Sequence, residues 1–245
     1  MMHIDIYTIT KVSPTLVLSK GRQENTRFEE LFWAKTTKIG GIKLLRLRDR
    51  KIIEALQLFR CMSRDQIANL FFYHVKNPIT AANYVLKRLR REGYIDANVE
   101  KKPYVYFPNP ATLKKDSQKI NHYLKIVDFY IGVCRYEEPI VFEVEHRYGP
   151  TFMQPDIFMV WQGAAFFVEI QNSRYTTVLM KEKLHRYTNY KNSDKWMEQV
   201  QPYNITTFPY VWIVSRLSYA VKSSELPIIQ SENVEGWVGS HKDYL

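Results

Sequence analysis

Residues 78 to 94 read PITAANYVLKRLRREGY, and this stretch decides the fold of the first half of the chain. Asn77 and Pro78 are typical of a helix start, because Asn caps free backbone N–H groups and Pro fits the first turn. Gly93 is typical of a helix end. Between them apolar residues recur at helical spacing, at Ala82, Val85, Leu86 and Leu89. The stretch therefore predicts an amphipathic helix that buries this stripe.

The opposite face of this predicted helix is basic and polar. Its residues are Thr80, Asn83, Tyr84, Lys87, Arg88, Arg90 and Arg91. Such a face can enter the DNA major groove, where Asn suits adenine, Arg suits guanine and flanking cations hold phosphates. We expect base contacts from Asn83, Lys87 and Arg91. Phosphate contacts are expected from Arg88, Arg90, Lys101 and Lys102. The alternative is an ordinary solvated helix face.

Two shorter helices are predicted on the N-terminal side of this stretch. Asp49 can cap the first of them, whose buried residues are Ile52, Ile53, Leu56 and Phe59. Ser63 and Gln66 form an S-x-x-Q capping box, in which each side chain bonds the backbone N–H of the other residue. This box predicts the start of a short second helix.

A basic hairpin is predicted on the C-terminal side. The segment YIDANVEKKPYVYF, residues 94–107, reads as two strands around a turn that carries Lys101 and Lys102. Three helices followed by such a hairpin predict a winged helix-turn-helix over residues 44–107.

Positive charge is concentrated in the same half of the chain. The net charge is +10, and residues 1–115 hold 22 Lys and Arg against 10 Asp and Glu, whereas residues 116–245 hold 13 against 15. Double-stranded DNA is the partner that this asymmetry favours, because each neutralised phosphate releases counterions. The alternative is that the charge serves solubility alone.

The remaining sequence predicts a linker and a second domain. Residues 108–116, PNPATLKKD, are rich in proline and lysine and are typical of a linker. Residues 117–245 read as α-β-β-β-α-β, which predicts an α/β domain with a mixed central sheet beside the α+β first half. Residues 1–43 form an unassigned extension, in which HIDIYTIT alternates like a short strand.

The second domain carries a pair of acidic positions at strand ends. Pro155-Asp156 opens one predicted strand and Glu169-Ile170-Gln171 closes the next. The pattern and the order of elements resemble the PD-(D/E)XK nucleases. The resemblance implies that Asp156 and Glu169 hold Mg²⁺ or Mn²⁺, which prefer hard oxygen ligands, and that Glu145 joins them. An active site of this kind would cut DNA by metal-assisted hydrolysis.

One position departs from that motif. Gln171 stands where the family usually has Lys, and an amide carries no charge to stabilise a developing phosphorane. The resemblance then requires a lysine from elsewhere, and Lys181 or Lys183 on the next helix can serve. The alternative is structural: Asp156 as a strand-start turn residue, and Glu169 paired with a nearby cation.

Together the two halves resemble the replication-relaxation family of Gram-positive plasmids and mobile elements, over roughly Leu44 to Ser215. That resemblance implies recognition of plasmid or transfer-origin DNA beside a replication initiator or a relaxase. Three hypotheses stay open: a DNA-binding accessory protein with a degenerate nuclease domain, a site-directed nickase or endonuclease, and a transcriptional repressor of a mobile element. A homodimer is plausible on paired half-sites.

Other kinds of protein are disfavoured by composition. Cys61 and Cys134 have no metal-like spacing, so we expect buried thiols rather than a disulfide or a zinc site. No apolar run approaches the roughly 20 residues of a membrane helix. We therefore expect a cytoplasmic protein without a membrane partner.

Overall fold

The computed structural model describes residues 45–100, 102–172, 176–220 and 225–240. Within these ranges the chain is a mixed α+β fold. Its seven helices are α1 Leu47–Phe59, α2 Arg64–Phe72, α3 Pro78–Arg91, α4 Ile120–Cys134, α5 Thr177–Asn192, α6 Trp196–Val200 and α7 Val234–Ser240. Its eight strands are β1 Met62–Ser63, β2 Ile95–Asn98, β3 Val105–Pro108, β4 Val141–Val144, β5 Ile157–Trp161, β6 Ala164–Ile170, β7 Tyr210–Val214 and β8 Ile228–Ser231.

The first half contains α1 to α3 and a three-stranded antiparallel sheet of order β1-β3-β2. In this sheet Tyr106 on β3 pairs with Met62 on one side and with Ala97 on the other. The two strands predicted around the lysine turn are thus present as β2 and β3. Lys101, in their turn, lies outside the described residues.

The predicted boundaries of α2 and α3 are confirmed. Ser63 Oγ accepts from the backbone N–H of Gln66 and Gln66 Oε1 accepts from that of Ser63, so the capping box is complete. Helix α3 begins at Pro78 after Asn77 and buries the predicted stripe, but the Asn77 side chain does not make the predicted capping hydrogen bond. Gly93 follows it at φ +77°, a conformation that glycine adopts without strain.

The predicted start of α1 is wrong. Helix α1 begins at Leu47 after Arg46, so Asp49 lies inside the first turn and caps nothing. Its carboxylate is fully buried and bonds Arg88 of α3 instead. A residue 39 positions away thus decides the role of Asp49, and local sequence pattern cannot anticipate that.

The second half is built on a five-stranded mixed sheet of order β4-β5-β6-β7-β8. Strands β4 to β6 are antiparallel, and β6, β7 and β8 are parallel. The order α-β-β-β-α-β predicted from sequence is found from α4 to β7, with one additional short helix, α6, before β7. Strand β8 and helix α7, which follow, were not predicted.

One hydrophobic cluster runs through both halves of the molecule. Helix α4 packs on one face of the large sheet and also contacts α1, α2 and β1. At this junction Phe59 of α1, Tyr130 of α4 and Phe142 of β4 have ring centroids 4.8 to 5.9 Å apart. A second cluster lies on the opposite face of the sheet, beneath α5. Helix α4 is therefore common to the two halves.

Polar contacts reinforce the junction between α2 and α4. Gln66 Nε2 donates to the backbone oxygen of Leu124 at 2.7 Å and to Asp128 Oδ1 at 2.6 Å. Gln66 therefore both caps α2 and attaches it to α4.

Residues 109–119, which connect β3 to α4, form neither a helix nor a strand. Lys115 within it forms an ion pair with Asp96 of β2 at 2.6 Å. The strand predicted in HIDIYTIT lies outside the described residues. Among the helices that are described, none is long and apolar enough to cross a membrane.

Candidate nucleic-acid interface and acidic cluster

The solvent face of α3 presents six of the seven predicted DNA-facing residues. The exposed ones are Thr80, Asn83, Tyr84, Lys87, Arg90 and Arg91. Tyr84 is 77% exposed, although it is a large aromatic residue. The helix contains no Asp or Glu between Pro78 and Arg91. The exposed cations Lys87, Arg90 and Arg91 all lie in the C-terminal half of α3, and the predicted DNA-facing residues before them are polar and uncharged.

Arg88 has an intramolecular role. Its Nη2 atom lies 2.6 Å from Asp49 Oδ2 and its Nη1 atom lies 3.3 Å from Glu92 Oε2. Asp49 is 0% exposed, and a carboxylate removed from water requires a cation beside it. We therefore assign Arg88 to holding α1 against α3, rather than to the phosphate contact expected from the sequence.

The hairpin lies beside the C-terminal end of α3. Lys102, in the turn between β2 and β3, is exposed. The hydrogen bond from Lys115, with a smaller contribution from the charge of Arg90, holds the pKa of Asp96 below its ordinary value. Arg90, Lys102 and Lys115 thus add positive charge around the hairpin, although Lys115 is partly neutralised by Asp96.

The three predicted metal ligands lie at the ends of adjacent strands, at one end of the large sheet: Glu145 follows β4, Asp156 precedes β5 and Glu169 lies in β6. Val144 pairs with Ile157, and Ile157 pairs with Val168. One position further along, Glu145, Asp156 and Glu169 therefore stand side by side, and the N–H of Glu145 bonds the backbone oxygen of Asp156 at 3.0 Å. The sheet register therefore brings these three acids, which span 24 positions of the chain, together at the same end of the sheet.

Asp156 is held by two donors. Its Oδ2 accepts the backbone N–H of Ile170 at 2.7 Å, and its Oδ1 lies 3.1 Å from Nε2 of His122 on α4. That hydrogen bond is the main reason why the pKa of His122 is raised. Asn172 lies 3.2 Å from the other ring nitrogen of His122. The Asp156 carboxylate, against which the His122 ring lies, therefore favours the protonated form of His122.

Glu169 is the most deeply buried acid of the group, at 2% exposed. Tyr187 of α5 donates to its Oε1 at 2.6 Å, and Lys183 Nζ lies 2.5 Å from its Oε2. Burial raises the pKa of the Glu169 carboxyl to about 7, although the charge of Lys183 opposes that rise. The structure therefore places Lys183, one of the two lysines considered from the sequence, against the motif glutamate.

Glu145 is bound to the first half of the molecule. Its Oε2 accepts from the Tyr123 hydroxyl at 2.8 Å and lies 3.4 Å from Nε of Arg60, the residue after α1. Glu145 also has a positive φ of 51°, so the chain leaves the strand at this point. Its carboxylate therefore contacts Tyr123 of α4 and Arg60, which follows α1.

Gln171 lies just beyond the cluster. Its backbone N–H bonds Val214, and the residue lines a cleft of about 780 Å³ at the carboxyl ends of β6 and β7. No hydrogen bond joins its side chain to Asp156 or Glu169 among the described residues. The positive charge beside Glu169 comes from Lys183 instead.

The two carboxylates suit a divalent cation in their chemistry, because both offer hard oxygen ligands. All four of their oxygens, however, already have a protein partner within 3.1 Å: His122, Ile170, Tyr187 and Lys183. In the described part of the chain no group of three or more His, Cys, Asp or Glu side chains has the arrangement of a metal site. The acids are therefore compensated by neighbouring donors, and an ion would have to replace some of these contacts.

Sequence reasoning missed His122, Tyr123 and Arg60. His122 lies 34 residues from Asp156, and the pair meets only because α4 packs beside the start of β5. Tyr187 is a buried core aromatic that in addition donates to Glu169. The local sequence indicates this hydrogen bond only through the hydroxyl group of Tyr187, which stands in an otherwise apolar stripe of the helix.

Compared with known protein families, with curated proteins and with solved structures, the chain gives no match. The structure thus defines a mixed α+β protein with a three-helix half and a five-stranded mixed sheet. What it binds has to be argued from its own surfaces.

Proposed function

We propose that this protein binds double-stranded DNA through α3, with α1 to α3 and β1 to β3 acting as a winged helix-turn-helix. In this proposal it is an accessory protein of the replication-relaxation kind, acting on plasmid or mobile-element DNA beside an initiator or a relaxase. The single observation that carries the proposal is the outer face of α3, which is exposed, positive and free of acids.

The composition of that face suits a duplex. Asn83, Lys87 and Arg91 lie on one side of α3, at the spacing with which a helix follows the major groove. Arg90 and Lys102 flank them toward the hairpin and would meet phosphates. Arg91 is free to reach outward, since its side chain is 70% exposed and its contact with Glu92 is long, at 3.8 Å.

Substitution of single cations on α3 tests this proposal. Arg91→Ala and Lys87→Ala should each weaken binding of the cognate duplex by about 1 to 3 kcal/mol, with relaxed sequence preference if the residue reads a base. Binding would be followed by fluorescence anisotropy at several salt concentrations. A phosphate contact would instead reduce affinity equally for all sequences and make the salt slope shallower by about one.

The control is Lys195→Ala, which removes an exposed lysine from the second half and the same charge from the molecule. Equal loss in the control and in the α3 variants would show that net charge alone drives association, and the proposed interface would then be abandoned.

Metal-dependent cleavage of DNA is a second candidate function. It is favoured by the alignment of Asp156 and Glu169 across β5 and β6, and by Lys183 beside Glu169. A bound Mg²⁺ or Mn²⁺ would supply an activated water and shield the scissile phosphate. Asp156 and Glu169 would hold the ion, and Lys183 would place a positive charge next to the reacting group.

Nicking of supercoiled plasmid separates the two candidates. Incubation with Mg²⁺, Mn²⁺ or EDTA should give metal-dependent nicking that Asp156→Ala abolishes without loss of DNA binding, if the acidic cluster is catalytic. An uncut but retarded plasmid in every sample would leave the second half with a role in assembly.

A further inference from the structure

A groove of about 760 Å³ lies between the start of α1, the end of α2 and the first turns of α3. The residues that give it chemical character are Arg46, Arg48, Asp49, Phe72, Tyr84 and Arg88. Its volume is within the range of small-molecule sites, which are mostly apolar with a few polar groups. Neither the base-reading face of α3 nor the acidic cluster accounts for it.

The floor of this groove contains a buried acceptor that lacks a partner. Asp49 is fully buried, and Arg88 bonds only its Oδ2 atom. Its Oδ1 atom is shielded from water and has no hydrogen-bond partner in the described part of the chain. A buried carboxylate oxygen left unbonded costs free energy, and a bound molecule that brings an N–H or O–H donor would remove that cost.

The walls of the groove are aromatic and cationic. The Arg48 guanidinium lies 4.4 Å from the centroid of the Phe72 ring, and Arg46 beside it is exposed. Tyr84 offers a ring that is largely exposed. A bare metal cation would satisfy Asp49 but would meet the charges of three arginines. An occupant that combines a donor, a flat ring and a negative charge fits all of these features.

We propose that the groove binds a nucleotide whose base carries an amino group. The base stacks on Tyr84, and Arg46 and Arg48 hold the phosphate. Since Asp49 Oδ1 is shielded in the empty groove, a small displacement of the side chains over it accompanies binding and lets the amino group of the base donate to this atom. Stacking on aromatic rings and phosphate contacts by arginine are the usual means of holding a single nucleotide. The occupant is either a free nucleotide or one unstacked nucleotide of a DNA strand.

This inference goes beyond duplex recognition and does not depend on it. Thr80 and Tyr84 lie both on the outer face of α3 and on the groove. A nucleotide in the groove therefore occupies part of the surface that duplex DNA would cover, and the two ligands compete.

The experiment uses the full chain and two kinds of probe. Isothermal titration with dAMP, dGMP and dCMP tests a free nucleotide, and anisotropy with a labelled single-stranded oligonucleotide tests a nucleotide within a strand. Tyr84→Ala should weaken whichever probe binds by about tenfold or more. Tyr73→Ala is the matched control, because Tyr73 is also exposed, at 58%, but does not line the groove.

A second pair of variants tests the phosphate contact without disturbing Asp49. Arg48→Gln should weaken the same probe several-fold, while Arg216→Gln, which changes an exposed arginine of the second half, should not. Binding of mononucleotides would identify a free ligand, and binding of the oligonucleotide alone would identify a strand; either result with the expected variants supports the site.

Absence of binding by both probes overturns the inference, and so does equal binding by Tyr84→Ala and Tyr73→Ala. These results are separable from failure of the proposed function, because Lys87 and Arg91 do not line the groove and report on duplex binding independently. Duplex binding that depends on Arg91, with no nucleotide bound, would leave α3 as a DNA reader and the groove without a ligand.

Discussion

Glu169 is a carboxyl group almost without contact with water, hydrogen-bonded by Tyr187 and paired with Lys183. Its pKa of about 7 lies above the 4.5 of a free side chain, so the folded protein binds this proton more tightly than the unfolded chain does. The stabilisation is complete below pH 4.5 and is lost as the pH rises through about 7. The raised pKa of His122 acts in the same direction.

Glu169→Gln should remove this dependence on pH. Between pH 4.5 and 8 we expect the free energy of unfolding of the wild type to fall relative to that of the variant by on the order of 3 kcal/mol. Urea denaturation at intervals of half a pH unit measures this difference. Glu182→Gln, on the exposed side of α5, is the control, and a difference that stays flat with pH would show that Glu169 titrates normally.

Arg88 and Arg91 lie one turn apart on α3, but their substitution should affect the stability of the protein very differently. Arg88→Ala leaves the carboxylate of Asp49 buried without its cation and should destabilise the protein by about 3 to 5 kcal/mol. Arg91→Ala removes an exposed side chain and should change stability by less than about 0.5 kcal/mol. Thermal and urea unfolding of the two variants check this. Similar losses would contradict the division of roles between the two arginines.

Helices were predictable where the residues that start and end them are close in sequence. The capping box of Ser63 and Gln66 and the glycine that ends α3 act over a few residues, so the sequence alone places both helices. The role of Asp49 was not predictable, because it depends on Arg88. The acidic positions could be found by their motif, whereas the donors that hold them come from α4 and α5.

The attachment of α2 to α4 depends on one amide. Gln66→Ala removes half of the capping box and the bonds to Leu124 and Asp128, so it should lower the free energy of unfolding by about 2 kcal/mol. Gln57→Ala, at an exposed position of α1, is the control and should change it little. Denaturant unfolding measures both. A loss no larger than in the control would show that these bonds are replaced by water.

At the scale of the whole molecule, the two halves should unfold together. A Trp33→Phe variant keeps four tryptophans, Trp161, Trp196, Trp212 and Trp237, which all lie in the second half, so fluorescence of this variant reports on that half alone. Phe59→Ala, in α1, should lower stability by about 3 to 5 kcal/mol. It should shift the tryptophan transition and the circular dichroism transition to one common midpoint. Two separate midpoints would mean that the shared cluster does not couple the halves.

The position of α4 also limits how the first half of the molecule can be transferred to another protein. One side of α4 covers the large sheet, and the other side covers α1, α2 and β1. A graft that stops at Phe107 would expose the apolar surface of Phe59 and leave Gln66 without its acceptors. A version of the first half that folds on its own would therefore extend to Cys134, with the sheet-facing side of α4 redesigned to be polar.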